Sequence, residues 1–278
     1  MTSIPRERLP DAHDTPPDVV EAMARIAVRA NPLGRVIHWL DSTHSTNDVA
    51  ARLAEAGAAE GTTIVAETQT AGRGRHGRSW FSPRGAGLYV SVILRPGAEI
   101  VKEASPVSLL TLASGVVIAE AVRAATGLPA RIKWPNDVLV GGRKLAGILA
   151  ESALHGGALQ FVVVGFGVNL RQAAYPPEIA SRVTSIEAET TRPPDRALIL
   201  AEIVAMMGER YADLRAGRFD AILGAWRELA SLSGAPVEWD SPSGIVRGRA
   251  EDIDRHGALL VRVGGKLERI VAGEVRWV

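Results

Sequence analysis

Glu67-Thr68-Gln69-Thr70-Ala71-Gly72-Arg73-Gly74-Arg75-His76-Gly77-Arg78-Ser79-Trp80 is the stretch around which the rest of the chain is organised. Gly72, Gly74 and Gly77 alternate there with Arg73, Arg75 and Arg78. Glycine lets a backbone turn its N–H groups toward a ligand, and arginine adds a fixed, fork-shaped positive charge. Such a loop suits phosphates or a nucleotide, although an RNA-binding tail or a solvated loop has the same composition. The stretch nearly matches G-x-x-x-x-G-K-[ST], with Gly72, Gly77 and Ser79 in place and Arg78 where lysine belongs. That motif needs a helix directly after the loop. Here Trp80-Phe81-Ser82-Pro83-Arg84-Gly85 follows, and then a strand pattern over Gly87–Leu94. The loop therefore joins two strands, Thr62–Glu67 and Gly87–Leu94, and must wrap its ligand itself.

Outward from the loop, bulk properties narrow the class. The chain has 278 residues, 46% apolar and 23% charged, with a formal net charge of +1. These values describe a globular protein, and the positive charge is local to the loop. The chain has no cysteine, hence no disulfide, thiolate metal site or cysteine nucleophile, and a cytoplasmic location is expected. No uninterrupted apolar run reaches the roughly 18 residues of a membrane span, and the N-terminus lacks a signal-peptide core.

Residues 1–17, rich in proline and charge, are expected to be a disordered lead-in. One amphipathic helix follows, built on Val19, Val20, Met23, Ile26 and Ala27 and ended by Asn31-Pro32. Residues 1–34 thus hold one helix, whereas a winged helix-turn-helix needs about three and a β-wing, so no DNA binding is expected. Val36–Leu40 is a strand, leading through Ser45-Thr46-Asn47 into an alanine-rich helix to Ala56. Ser45 and Thr46 suit helix capping, and equally the binding of a polar ligand ring. Ser105-Pro106 opens a long apolar helix to Ala125, which should be buried. Short strands then flank Lys133-Trp134-Pro135-Asn136-Asp137, and Gly141-Gly142 turns into Lys144-Leu145-Ala146-Gly147. Phe161–Leu170 is a buried strand with Gly165, Gly167 and a terminal Asn169. Glycine within a strand marks close approach of a ligand or of backbone. Helices follow near Asp195–Leu214 and Phe219–Leu229, and after Ser233-Gly234 short strands between glycine-rich turns suggest a small barrel of about 45 residues. The fold class expected is α+β: a mixed sheet packed with helices over residues 35–232, and a separate barrel over 233–278.

Taken singly, each polar segment has a plain explanation. Lys133–Asp137 suits a turn, Lys144 a solvated edge lysine, and the Gly-x-Gly pair relief of crowding. Taken together and in this order, they resemble the biotin–protein ligases. Gly72–Trp80 is similar to that family's adenylate-binding loop, Lys133–Asp137 to its K-W-P-N-D segment, Gly141–Gly147 to its G-x-K-x-x-G segment, and Phe161–Leu170 to its strand ending G-x-G-x-N. The similarity runs from about Val36 to Val278. It implies a class II synthetase-like catalytic domain with an SH3-like C-terminal barrel. The implied reaction joins biotin and ATP into biotinyl-5′-adenylate and pyrophosphate, then passes the biotinyl group to a lysine of a carboxylase's carrier domain.

The resemblance assigns catalysis to Lys144, Arg75, Arg73, Lys133 and Asp137. It assigns biotin contacts to Ser45, Thr46, Asn47, Gln69, Arg73, Gly74, Arg75, Lys144, Gly165 and Gly167. Gly72, Arg75, Gly77, Arg78, Trp80, Lys133, Asn136 and Asn169 fall to ATP and the adenylate, with Trp80 stacking on adenine. Mg²⁺ is implied mainly on the ATP phosphates, and Asp137 either helps hold it or orients the acceptor amine. The loop is expected to order over its ligand as a lid. His44 departs from the family, which commonly has an acidic residue before the serine. The repressor type's N-terminal DNA-binding module is expected to be absent, and both monomer and homodimer are compatible with the sequence. Two rivals remain: a lipoyl or octanoyl transferase on a related scaffold, with other glycine and lysine signatures, and a nucleic-acid-binding regulator, disfavoured by the near-zero net charge.

Overall fold

The computed structural model describes residues 12–97, 100, 106–230, 234–241, 244–271, 273 and 275–277. The disordered lead-in expected over residues 1–17 lies outside that range up to residue 11 and is corrected beyond it, since Ala12 and His13 pair antiparallel with Leu40 and Trp39 as an edge strand of the sheet. The Ser105 helix start and the Ser233 boundary also lie outside the described residues. Eight strands form the main sheet: β1 Ala12–His13, β2 Ile37–Leu40, β3 Thr63–Ala66, β4 Gly87–Leu94, β5 Arg131–Lys133, β6 Asp137–Val140, β7 Arg143–His155 and β8 Ala158–Asn169. Their spatial order is β1-β2-β3-β4-β8-β7-β6-β5. The β2–β3 pair is parallel, because helix α2 (Thr46–Glu55) crosses between those strands; the other neighbours are antiparallel.

Side-chain alternation along the strands sends two different cores to the two faces. On one face Val65, Leu88, Val90, Val92, Val162, Val164, Phe166 and Val168 meet helices α1 (Pro17–Ala30), α3 (Pro106–Thr126), α6 (Arg196–Arg215) and α7 (Phe219–Leu229). On the other, Ile64, Ala66, Ile93, Phe161 and Val163 meet Val49, Ala50 and Ala54 of α2. The second core is short. In β8 the same face continues past Phe161 and Val163 to Gly165 and Gly167, and in β7 Gly147 stands beside Gly167. Where α2 begins, β7 and β8 therefore contribute bare backbone at these three positions, and a trough with a glycine floor remains beside Tyr89 and Ser91 of β4.

Helix α3 has the length and apolarity of a membrane span, but 67% of its most apolar window is buried inside the fold. Two short helices, α4 (Pro177–Ala180) and α5 (Ile186–Thr190), lie between β8 and α6. Strands β9 Pro236–Ser241, β10 Gly244–Ile253, β11 Leu259–Val263, β12 Lys266–Ile270 and β13 Val275–Trp277 form an antiparallel sheet in the order β12-β11-β10-β9-β13. Its edges β12 and β13 do not pair with each other among the described residues. Nor is it a detached module: Val237, Trp239, Ile253, Leu259 and Val261 join the main core, and Trp134 Nε1 donates to Gly257 O at 3.0 Å.

Candidate functional site

The walls of the trough come from α2, β4 and the loop between β3 and β4. Ser45 occupies the N-cap of α2, yet its hydroxyl makes no capping hydrogen bond. Gln69 does that work from the loop: its Oε1 accepts from Thr46 N at 2.8 Å and from Thr46 Oγ1 at 3.1 Å. Gln69 Nε2 in turn donates to Ser82 Oγ at 2.9 Å, and Ser82 Oγ to Trp80 O at 3.1 Å. A β-carbon on Gly72 would lie 2.6 Å from Trp80 O and 2.7 Å from Ser82 Oγ, which is why the loop needs glycine at its neck.

Asn47 closes the inner end. Its Nδ2 donates to Glu151 Oε2 at 2.6 Å and Leu149 O at 3.3 Å, and its Oδ1 accepts from Ser91 Oγ at 2.6 Å. Asn47, assigned by resemblance to biotin, thus spends its amide on the protein and acts as a wall support. A β-carbon on Gly165 would stand 2.0 Å from Asn47 Oδ1.

The opposite end gathers the cations. Lys144 Nζ lies 2.7 Å from Asp137 Oδ1 and 5.2 Å from the Trp80 ring centroid. The Trp80 indole spans the floor, such that a β-carbon on Gly167 would be 2.3 Å from its Nε1 and one on Gly147 3.0 Å from its ring. That indole N–H is buried with no acceptor, whereas Asp137 Oδ1 is paired with the Lys144 ammonium. Buried polar atoms are ordinarily satisfied, so the Trp80 N–H marks where a ligand's polar atom belongs. Arg75 reaches Asn136 Oδ1 at 3.4 Å; burial lowers its pKa, while the Asp137 carboxylate acts in the opposite sense. Asn136 is itself fixed by Ile148, through Nδ2 to Ile148 O at 2.9 Å and Ile148 N to Asn136 O at 2.9 Å. Lys133 sits half-buried on β5, in register with Asp137 across the turn. Asn169 Nδ2 donates to Thr184 O at 2.9 Å and Lys144 O at 3.5 Å, holding the strand that carries the lysine.

The three loop arginines are not equivalent. Arg73 turns away from this cluster to Asp48 Oδ1 at 2.6 Å and Glu151 Oε2 at 2.9 Å. Burial lowers its pKa, but the Glu151 and Asp48 carboxylates outweigh that and leave it raised. Its assignment as a cation beside the reacting groups does not match this placement. Arg78 is exposed at the loop tip, next to the left-handed pair His76 (φ 55) and Gly77 (φ 72). Gly74 forms the other side of that tip, its N–H bonding Arg78 O at 2.7 Å. Among the described residues no cluster of three or more His, Cys, Asp or Glu side chains is set to hold a metal. The sequence reading passed over Ser91, Ser82, Asp48 and Glu151. A lone hydroxyl within the apolar run of β4 was the signal available for Ser91.

With this geometry in place, comparison with known proteins is informative. The Biotin/lipoate A/B protein ligase family matches residues 39–169, and the Biotin protein ligase C terminal domain matches residues 232–276. A biotin--[acetyl-CoA-carboxylase] ligase of Mycobacterium tuberculosis is 37% identical over 249 residues, covering 87% of this chain and 88% of that protein. A bifunctional ligase/repressor BirA of Bacillus spizizenii is 32% identical over 262 residues, covering 94% of this chain and 79% of that protein. Among solved structures, a biotin protein ligase from Aquifex aeolicus in complex with biotin and ATP superposes with a TM-score of 0.76 at 30% identity, covering 88% of this chain and all of that one.

Proposed function

The chain belongs to the biotin protein ligase family, and from that premise we propose how its own residues perform the family's reaction. The protein is an ATP-dependent ligase that activates biotin and transfers it to a carboxylase's carrier protein. The observation that carries the assignment of roles is the meeting of Arg75, Lys144, Asp137 and Trp80 beside two strand glycines, Gly147 and Gly167. Biotin lies along the trough, its ring at the buried Ser45 and Thr46 and the half-buried Gln69 and its carboxylate toward Lys144. Such a site is mostly apolar with a few aimed hydrogen bonds, and leaving one buried partner unpaired costs about 1–3 kcal/mol.

In the first step the biotin carboxylate attacks the α-phosphorus of ATP and pyrophosphate leaves. Two unit charges 4 Å apart repel by about 4 kcal/mol at an effective dielectric near 20. Lys144 and Arg75 offset that repulsion and stabilise the charge on the equatorial oxygens. A compact ammonium suits the gap between carboxylate and phosphate better than a broad guanidinium. Lys133 and Arg78 neutralise the polyphosphate, Trp80 stacks on adenine, and Asn136 and Asn169 fix the strands beneath. Mg²⁺ would be carried mainly by the ATP phosphates, with the Asp137 carboxylate, beside Lys144 Nζ at 2.7 Å, as the protein group that would help hold it. When bound it would supply further neutralisation of phosphate charge.

In the second step a neutral lysine amine of the carrier attacks the acyl carbon and AMP leaves, which requires mainly positioning. Asp137, paired with Lys144, is the carboxylate that would orient that amine. Adenylate synthesis and transfer measured separately for Asp137→Ala divide the two roles: loss of synthesis implicates the metal, loss of transfer alone the amine. The match of residues 232–276 to a biotin-ligase C-terminal domain favours biotin over lipoate. The absence of cysteine suits a reducing cytoplasm. Incubation with biotin, ATP, Mg²⁺ and a carrier domain should add one biotinyl group to the carrier by mass; folded protein that transfers none refutes the ligase. Calorimetric titration should give binding with biotin and none with lipoate.

A further inference from the structure

We propose that Glu151 and Asp48 are positioning residues that latch the Gly/Arg loop over the trough through Arg73, so that the adenylate is retained until transfer. The proposal rests on the ligase function above. The loop spans residues 67–86, and its two limbs are tied near the neck by Gln69 N to Ser82 O at 3.2 Å and Trp80 N to Gly72 O at 2.8 Å. Beyond that neck, Arg73 reaches two neighbouring elements, the start of α2 and strand β7. Its Nη1 reaches Asp48 in the first turn of α2, and its Nη2 reaches both oxygens of Glu151 on β7, at 3.2 and 2.9 Å.

Glu151 has a second duty that makes the latch more than a surface ion pair. Its Oε2 also accepts from Asn47 Nδ2 at 2.6 Å, and Asn47 is the residue after Thr46 in the wall. One carboxylate thus joins the loop to the helix start that faces the ligand. Loop closure and wall geometry are tied at this point, and any movement of α2 on filling the trough is felt by Arg73. All three charged side chains are two-fifths exposed or more. Each pair alone is therefore weak, which suits a latch that must open for the carrier's lysine.

The test uses full-length enzyme and two readouts. The first is trypsin cleavage after Arg73, Arg75 and Arg78 in ligand-free protein, followed by mass spectrometry. The second is the ratio of free biotinyl-adenylate to biotinylated carrier during turnover. Glu151→Gln keeps an acceptor for Asn47 while removing the charge that holds Arg73. In it and in Asp48→Asn, cleavage and the free-adenylate ratio should each rise about fivefold, the shift a small network of part-exposed pairs can bias. In an Arg73→Ala background Glu151→Gln should add nothing to either readout. The latch is overturned if cleavage is unchanged in both variants, or if cleavage rises while adenylate retention does not. It is also overturned if Glu151→Ala perturbs the enzyme and Glu151→Gln is silent, since Glu151 would then serve Asn47 alone. Wild-type protein that forms no adenylate would refute the ligase function instead, and the cleavage contrast would still stand.

Discussion

Gly165→Ala tests the trough at its tightest point. The added methyl carbon would sit 2.0 Å from Asn47 Oδ1, 2.8 Å from its Cγ and 3.1 Å from its Nδ2. Asn47 has nowhere to retreat without breaking bonds to Ser91, Glu151 or Leu149. Overpacking of this kind costs about 1–3 kcal/mol, and a buried polar group left unpaired about 1–3 kcal/mol more. With partial relaxation a loss of about 2–4 kcal/mol is expected, against a typical total of about 5–15 kcal/mol, so the variant still folds. Displaced Asn47 also shifts Thr46, so adenylate formation should fall about 100-fold, the usual consequence of misplacing a substrate by about 1 Å. Guanidinium unfolding followed by tryptophan fluorescence measures the first effect and pyrophosphate release the second. Gly224→Ala is the control: Gly224 is in α7 with nothing within 4 Å of its added carbon, and helix propensity predicts a gain of up to about 1 kcal/mol. The trough argument fails if Gly165→Ala is as stable and as active as wild type.

Lys144→Arg should lower pyrophosphate release about 100-fold, as for loss of one aimed donor at a developing charge, while biotin binding measured by calorimetry changes little; full activity would mean that compactness is irrelevant. Arg75→Gly should release biotinyl-adenylate and label bystander proteins, and unchanged acceptor selectivity counts against it. Trp80→Ala should raise the KM for ATP at least about tenfold, the scale of losing one base–aromatic stack, with the KM for biotin as the comparison. The C-terminal sheet should be acid-sensitive. Glu238 is held below its ordinary range by hydrogen bonds from Arg276 and Arg247, Asp240 by Arg276 and Glu251 by Arg262. In Asp254 burial opposes ionisation, but bonds from Arg269 and two backbone N–H groups prevail. Carboxylates with depressed folded pKa values stabilise above the unfolded pKa, near 4, and lose that effect as pH falls through the folded value. The Tm should be level from pH 7 to 5 and drop below about pH 4, with a shallower drop in Arg276→Gln.

Much of this site was legible because its chemistry needs residue types that ordinary packing does not. Alternating Gly and Arg, a lysine beside a Gly-Gly turn and two glycines in an apolar strand each depart from a core pattern, and the fold brings all three together. The α+β class was legible from strand alternation and from the apolar helix now seen as α3. Relations between distant side chains were not. Nothing in the chemistry of Ser45 indicates that Gln69, 24 positions on, caps α2 in its place. Likewise Asn47 reads as a ligand-binding amide until Ser91, Leu149 and Glu151 are seen to occupy it. The C-terminal strands read as a separate module because turn residues are local signals. Their apolar faces and the Trp134–Gly257 bond tie them to the main core through contacts more than a hundred residues apart.

The same limit explains why Arg73 and Arg75 look interchangeable in sequence and are not in space. Two residues apart in an extended segment, they would point the same way. The segment is not extended beyond Gly74: Arg73 still pairs with Ser79 in a β-bridge, whereas Arg75 begins a 3₁₀ turn that passes through left-handed His76 and Gly77. That turn carries Arg75 to Asn136 and Asp137 and leaves Arg73 against Asp48 and Glu151. A single tight turn thus divides two like charges into one that faces the reaction and one that fastens the loop. The glycines matter here for direction more than for flexibility: Gly77 takes φ 72 at the reversal of the tip without the strain a side chain would add there. Alternation of Gly and Arg is what a loop requires if it must both neutralise a ligand and hold itself closed over it.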